Sequence, residues 1–343
     1  MKALYKARPA PGAELRQVDI PKIGPTDMLV RVQSAAICGT DNHIYDWTPW
    51  AQARVKPPMI FGHEFAGEVV EVGSEVRGFA VGDMVAAETH IPDLQCMQCR
   101  TGRQHTCENM TIIGVHTDGA FAEYAVLPQA CAWKLPPETD PDLGAILEPI
   151  GVAANGLFKD RIGGLSVAII GCGPIGLFGA QMALACGARQ LFVTDINEYR
   201  LDMARSIVPE AVALNPSKED VEGIVREATE GRGLDVVIEL SGHPAGIAQA
   251  FNLLAKGGRI SLVGLPSQPV TLELTNAIIY REAVVYGSTG RIMWDTWYTV
   301  DALLKANKFD PTQVITHRFP LEQYDEALQL TRSANAGKVI LKP

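Results

Sequence analysis

The pattern of apolar and polar positions changes character near residue 150. Before it, apolar and polar residues alternate in short runs: residues 28–35 (MLVRVQSA), 65–72 (FAGEVVEV), 84–87 (MVAA) and 120–127 (AFAEYAVL). Alternation with period two marks strands with one face buried. Gly24-Pro25, Pro57-Pro58, Gly73, Gly78 and Gly82 punctuate these runs, so a compact, barrel-like β unit is expected. After it, residues 166–170 (SVAII) are continuously apolar and lead through a glycine-rich turn into a helical run over 177–186. Residues 190–194, 234–240 and 258–264 read as further strands, and 197–206 and 245–254 as helices. Apolar strands alternating with helices predict a parallel sheet covered on both faces. The final segment returns to short mixed elements and ends in a strand over 337–341 (GKVIL).

Length and composition narrow this picture. The chain has 343 residues, 47% of them hydrophobic and 20% charged. At roughly 150 residues per domain this implies two domains, each able to bury its own core without disulfide staples. Lys plus Arg is 30 against 39 Asp plus Glu, a net charge of −9, which argues against a nucleic-acid surface. No stretch has the pattern of a signal peptide or a bilayer span, so a cytoplasmic protein with no membrane partner is expected. The seven cysteines are an odd number and partly clustered, a usage that points to metal ligands rather than disulfides.

Gly171-Cys172-Gly173-Pro174-Ile175-Gly176 is a G-x-G-x-x-G turn between an apolar strand and a helix, the context that makes the motif informative. Gly171 allows the tight turn, Gly173 lets backbone approach a pyrophosphate, and Gly176 lets helix and strand pack closely. Asp195 ends the next strand, about twenty residues beyond Gly176, where a carboxylate accepts from an adenosine ribose and repels the extra phosphate of NADP. NAD is therefore the expected cofactor, with Arg200 close by to cover the adenine or pair with Asp195.

Two other constellations carry chemistry. Cys38, Thr40 and His43 fall within six residues, and His63 and Glu64 follow; thiolate, imidazole and carboxylate are the ligand types of a catalytic zinc. Thr40 and His43 supply a route for a displaced proton, hydroxyl first and imidazole second. Asp93, Cys96, Cys99 and Cys107 lie on one short stretch and are expected to close a second, structural zinc site. The alternative for that stretch is three unligated thiols.

The residues that carry these motifs resemble the zinc-dependent medium-chain dehydrogenases over essentially the whole chain. The matching segments are residues 36–47 (AICGTDNHIYDW), 61–69 (FGHEFAGEV), 88–91 (ETHI), 146–151 (ILEPIG), 171–176 (GCGPIG), 194–201 (TDINEYRL) and 290–298 (GRIMWDTWY). The resemblance implies an α/β chain: a GroES-like β-rich catalytic domain over residues 1–150, a Rossmann doubly wound parallel-sheet domain over 151–295, and a segment over 296–343 returning to the first, with the catalytic cleft between the domains. It implies that Cys38, His63 and Glu64 bind catalytic zinc, that Glu148 stands beside the metal, and that Thr40 and His43 form the relay. It implies NAD contacts at Ile175, Asp195, Arg200, Val263, Gly264, Leu265, Ser288 and Thr289. The Trp-containing segments and His90, expected at the substrate, bring the chain nearest the branch that oxidises the threonine side-chain alcohol. The family also implies a homo-oligomer, a tetramer.

Two features depart from the family pattern. The structural lobe usually has four cysteines, and here its first position is Asp93. Residues 149–155 read PIGVAAN where that branch usually has PFGNAVH, so Val152 and Asn155 replace an amide and an imidazole close to the active site. A polyol, sugar or other secondary alcohol is thus the alternative substrate. A metal-free NAD-binding protein on the same fold is the alternative of a different class.

Overall fold

The computed structural model describes residues 1–343. The chain divides into two units, Met1–Pro149 with Ile315–Pro343, and Ile150–Val314. The second unit thus continues past residue 295 through the helix Asp295–Lys305, and the first resumes only at Ile315.

In the second unit six parallel strands lie in the order Val212–Leu214, Gln190–Thr194, Ser166–Ile170, Leu234–Glu239, Leu254–Leu262, Val284–Gly287. In chain order this is third, second, first, fourth, fifth, sixth. The order reverses beside Ser166–Ile170, which defines a doubly wound sheet; sheets of this kind bind ligands at the carboxyl ends of the strands where the order reverses. Every residue of Ser166–Ile170 is buried, which is why it reads as an unbroken apolar run rather than an alternating one. Ala168, Phe192, Val237, Phe251 and Ile260 belong to one buried cluster, and burying each large side chain contributes about 1.5–3 kcal/mol. The helix after the glycine turn starts at Pro174, three residues before the apolar run suggested, because proline at the first helical position has the right φ and gives up no needed N–H.

The first unit is built on a mixed sheet ordered Ala132–Lys134, Met84–Ala87, Glu64–Val72, Asp27–Ala36, Lys338–Lys342, Ile315–Pro320, with Tyr124–Pro128 also pairing to Asp27–Ala36. Its register matters for the site. Ala36 lies opposite Glu64, and Ile340 lies opposite Ala36. The ends of three strands from distant parts of the sequence therefore meet around residues 36–38.

One expected strand is corrected here, and one helix was not expected. The strand expected over 120–127 begins only at Tyr124; upstream of it the backbone bonds elsewhere, Phe121 N–H to Phe61 O (3.0 Å) and Leu4 N–H to Phe121 O (2.7 Å). The helix Pro141–Leu157 was not legible, since it carries Pro149 in its interior, a residue that ordinarily breaks a helix. No helix is long and apolar enough to cross a membrane.

Candidate active site and metal centres

Strand register delivers the first constellation. Cys38 follows the strand Asp27–Ala36 and caps the helix Gly39–Asp46, while Glu64 opens the adjacent strand. Ligand atoms of Cys38, His63 and Glu64 lie within 4.8 Å of one another, and His63 and Glu64 are buried. Asp41, wholly buried, accepts from the Cys38 N–H at 2.8 Å through Oδ2 and sets Oδ1 3.6 Å from His63 Nδ1. A carboxylate behind a histidine orients the ring and leaves its other nitrogen for a metal. Glu64 Oε1 is buried without a hydrogen-bond partner. Burial without a partner is costly, and a cation held by thiolate, imidazole and carboxylate resolves it, so these residues fit a zinc ion.

The charges around Glu64 are closely balanced. Burial raises its pKa to about 7, with Glu148 pushing in the same direction and Lys338 and His63 pulling it down. Glu148 is itself buried and accepts from Thr89 Oγ1 at 3.4 Å. It is not among the three clustered donors, yet its charge reaches Glu64. Lys338, which the sequence did not single out, donates to the Glu64 carboxylate and to Ile37 O.

Thr40 and His43 are three apart on the helix Gly39–Asp46 and so share a face. His43 is exposed, with Nδ1 3.2 Å from Thr48 Oγ1 and its ring 5.9 Å from that of Trp50. His90 sets Nδ1 3.2 Å from the buried carboxylate of Glu88, which fixes its ring.

The second constellation also converges. Ligand atoms of Asp93, Cys96, Cys99 and Cys107 lie within 4.8 Å of one another, and Cys96 Sγ is 3.8 Å from Cys107 Sγ. Asp93 accepts from the N–H groups of Gln95 (2.8 Å) and Cys96 (3.0 Å) and from Asn109 Nδ2 (2.5 Å). The Cys96 N–H and the Asn109 amide hold its carboxyl well below the usual carboxylate range. Burial, with Cys96 next to it, pushes the Cys99 thiol up to about 12. A carboxylate fixed in its charged form beside three thiols fits a divalent cation that stabilises thiolates. All seven cysteines are free of disulfides.

In the second unit the glycine turn sits at the carboxyl end of Ser166–Ile170, at the order reversal. Gly171 has φ +96°, a left-handed conformation that disfavours any side chain, and a Cβ on Gly176 would lie 2.0 Å from Gly171 O. A Cβ on Gly173 would meet only the Arg200 guanidinium, at 4.0 Å. The surface above Gly173 is therefore open to a phosphate at a helix N-terminus. Ile175 is half-buried in the first turn of that helix. Asp195 does more than end a strand. Its Oδ2 accepts from Cys172 N–H and its Oδ1 from Asn197 N–H, both at 2.9 Å, with Arg200 Nη1 3.6 Å away.

The other strand ends complete this edge. Val263 and Gly264 donate to Glu239 O at 2.9 and 3.0 Å, while Leu265 is 84% exposed. The Glu239 side chain, fully buried and raised in pKa by that burial, accepts from Ser241 N–H (2.9 Å) and Gly242 N–H (3.1 Å); the sequence offered no signal for it. Ser288 N–H bonds to Leu262 O at 3.0 Å, its Oγ is buried without a partner, and Thr289 beside it is exposed.

Residues 24–137 match the alcohol dehydrogenase GroES-like domain, and residues 174–306 match the zinc-binding dehydrogenase domain. The chain belongs to the zinc-binding alcohol dehydrogenase family, whose members are oxidoreductases. Within it, the chain is 47% identical to L-threonine 3-dehydrogenase of Symbiobacterium thermophilum, over 100% of this chain and 98% of that one. Among solved structures, a Sinorhizobium meliloti 1021 protein with NADP bound superposes with TM-score 0.91 at 31% identity, covering 100% and 99% of the two chains. Galactitol-1-phosphate dehydrogenase of Escherichia coli does so with TM-score 0.90 at 29% identity, covering both chains in full.

Proposed function

We propose that this protein oxidises the side-chain alcohol of L-threonine to 2-amino-3-oxobutanoate, with NAD as hydride acceptor. The observation that carries the chemistry is the convergence of Cys38 with the buried His63 and Glu64, on a chain close to half identical to a threonine dehydrogenase along its full length. Zinc held by these residues would act as a Lewis acid that makes an alcohol acidic at neutral pH, and NAD would accept the hydride.

The protein's own residues would do the rest. Cys38, His63 and Glu64 would hold the catalytic zinc, with Asp41 orienting His63 and Glu148 standing beside the site. Thr40 would take the alcohol proton and His43, exposed one helical turn on, would pass it to solvent. His90, braced by Glu88, would contact the substrate. In the second unit the turn at Gly171, Gly173, Ile175 and Gly176 would bind the pyrophosphate. Asp195 and Arg200 would bind the adenosine end, and Val263, Gly264, Leu265, Ser288 and Thr289 the nicotinamide end. Asp195 favours NAD over NADP. Asp93, Cys96, Cys99 and Cys107 would hold a structural zinc.

We further infer a cytoplasmic homo-oligomer, a tetramer. The free thiols suit a reducing compartment. The edge strand Val284–Gly287 and its neighbours expose Val284, Val285, Ile279 and Tyr280, a surface suited to association.

The second reading is a polyol, sugar or other secondary alcohol as substrate. It is supported by the likeness to galactitol-1-phosphate dehydrogenase and by Val152 and Asn155. NADH formation across threonine, other amino alcohols and polyols decides. Threonine is expected to give the highest kcat/KM, and a polyol exceeding it would overturn the first reading.

A further inference from the structure

We infer that Asn155 is a positioning residue for the cofactor: its side-chain amide, oriented by Lys159, fixes the backbone at Thr289 and Gly290 and so sets where the nicotinamide end of NAD rests. The inference relies on the reading above that Ser288 and Thr289 contact NAD.

Asn155 lies near the end of the helix Pro141–Leu157 and is 2% exposed. Its Nδ2 donates to Thr289 O at 3.1 Å and to Gly290 O at 3.0 Å, and its Oδ1 accepts from Lys159 Nζ at 2.5 Å. The two ends of an amide have nearly the same outline, so the partners decide its orientation. Lysine can only donate and the carbonyls can only accept. All three bonds are therefore satisfied in one orientation alone. Two successive carbonyls turned toward a single donor leave the Thr289–Gly290 peptide little freedom.

The same helical turn also braces the other loop. A Cβ on Gly156 would lie 2.8 Å from Val263 Cγ2, so only glycine allows the helix to press that closely against the loop of residues 263–265. Asn155 thus turns its polar atoms to the backbone that follows Ser288.

Asn155→Asp keeps the shape and keeps a partner for Lys159, but it sets a carboxylate against two carbonyl oxygens. Asn155→Ala removes the donor, and Lys159→Met releases the amide's orientation. Each variant is titrated with NADH and with ADP-ribose, which lacks the nicotinamide, alongside the unaltered protein and a melting curve. NADH binding is expected to weaken about tenfold in Asn155→Asp, with ADP-ribose unchanged. Lys159→Met should weaken NADH binding on its own and add nothing to Asn155→Ala, because it acts through the amide. Unchanged NADH affinity in both Asn155 variants, or equal losses for NADH and ADP-ribose, would overturn the inference. If the unaltered protein fails to bind NADH, the NAD-binding reading itself falls and takes this one with it.

Discussion

Lys338 buries its ammonium group against the carboxylate of Glu64, with the two side chains only 4% and 1% exposed. A second bond runs from Lys338 Nζ to Ile37 O at 3.1 Å. Sheet register accounts for the meeting: the strand Lys338–Lys342 lies beside Asp27–Ala36, which lies beside Glu64–Val72. The C-terminal strand thereby supplies a positive charge beside a cluster of donors, Cys38, His63 and Glu64, drawn from the first 64 positions.

Burying two ions is costly, and removing one partner leaves the other uncompensated. In metal-free protein, Lys338→Met would leave the Glu64 carboxylate sealed beside Glu148, with a loss of about 3–5 kcal/mol. Urea unfolding of the variant measures this. Adding Glu64→Gln should restore much of the loss, because the uncompensated charge is then gone. A wild-type midpoint for Lys338→Met would show that the pair contributes nothing.

Lys338 was not legible from the sequence. Lysine in a terminal GKVIL strand reads as a solvated residue, and only three-dimensional register sets it opposite Glu64. The strands of the second unit were legible, because burial on both faces writes a continuous apolar run. The convergence of Asp93, Cys96, Cys99 and Cys107 was legible because all four donors lie on one short stretch. The long helix with Pro149 was hidden by a local rule that tertiary packing overrides. Asp195 was legible as an acid at a strand end, but its bond to Cys172 N–H depends on how the glycine turn folds back.

The residues proposed to hold zinc and those proposed to hold the nucleotide fall in different units, so their losses should be separable. Cys38→Ser or His63→Ala should abolish turnover, since the alcohol is no longer made acidic, while NADH affinity stays within about twofold of the parent because the glycine turn is intact. Steady-state assays paired with NADH titration test this. Near-normal turnover in Cys38→Ser would refute a metal-based reaction.

Asp195 accepts from Cys172 N–H, and it is the carboxylate we propose for an adenosine ribose. Asp195→Ala should erode the preference for NAD over NADP by removing the carboxylate that repels a 2′-phosphate. It should also raise KM for both cofactors, since the turn loses its tie to the neighbouring strand. The ratio of kcat/KM values for NAD and NADP reports the first effect. A parent protein that uses NADP equally well would show that Asp195 does not select.

Asp142 links three elements of the first unit. It accepts from Ser34 Oγ at 2.5 Å and Arg318 Nε at 2.6 Å, and it pairs with Lys342. Burial works against its charge, but Lys342, Ser34 and Arg318 outweigh it and the pKa is lowered. A carboxyl whose folded pKa is depressed stabilises the fold above its unfolded value near 3.9, and that contribution fades as pH falls through the folded value. Asp142→Asn should therefore cost about 2 kcal/mol at neutral pH. The gap to the parent should narrow steadily as pH falls below about 4. Urea midpoints for both proteins across the acid range test the sign, and a gap that widens toward low pH would contradict it.

The lobe around Asp93 should give up its metal before the catalytic site does. All four donors sit on one stretch with Leu94 and Met97 exposed at 57% and 58%, so little core surrounds them. A carboxylate oxygen is also a harder partner than thiolate for zinc. Mild chelation should therefore remove one zinc per chain and lower the melting temperature, because metal binding here is folding free energy. Asp93→Cys should have opposite effects in the two states. With zinc present, the fourth thiolate should tighten the site and raise the melting temperature. With zinc removed, the variant should be less stable than the parent, because the Gln95 and Cys96 N–H groups and the Asn109 amide lose the acceptor they share. Zinc stoichiometry and melting temperature, measured with and without chelator on both proteins, separate the two effects. One zinc per chain in metal-replete parent protein would remove the structural site and leave three unligated thiols.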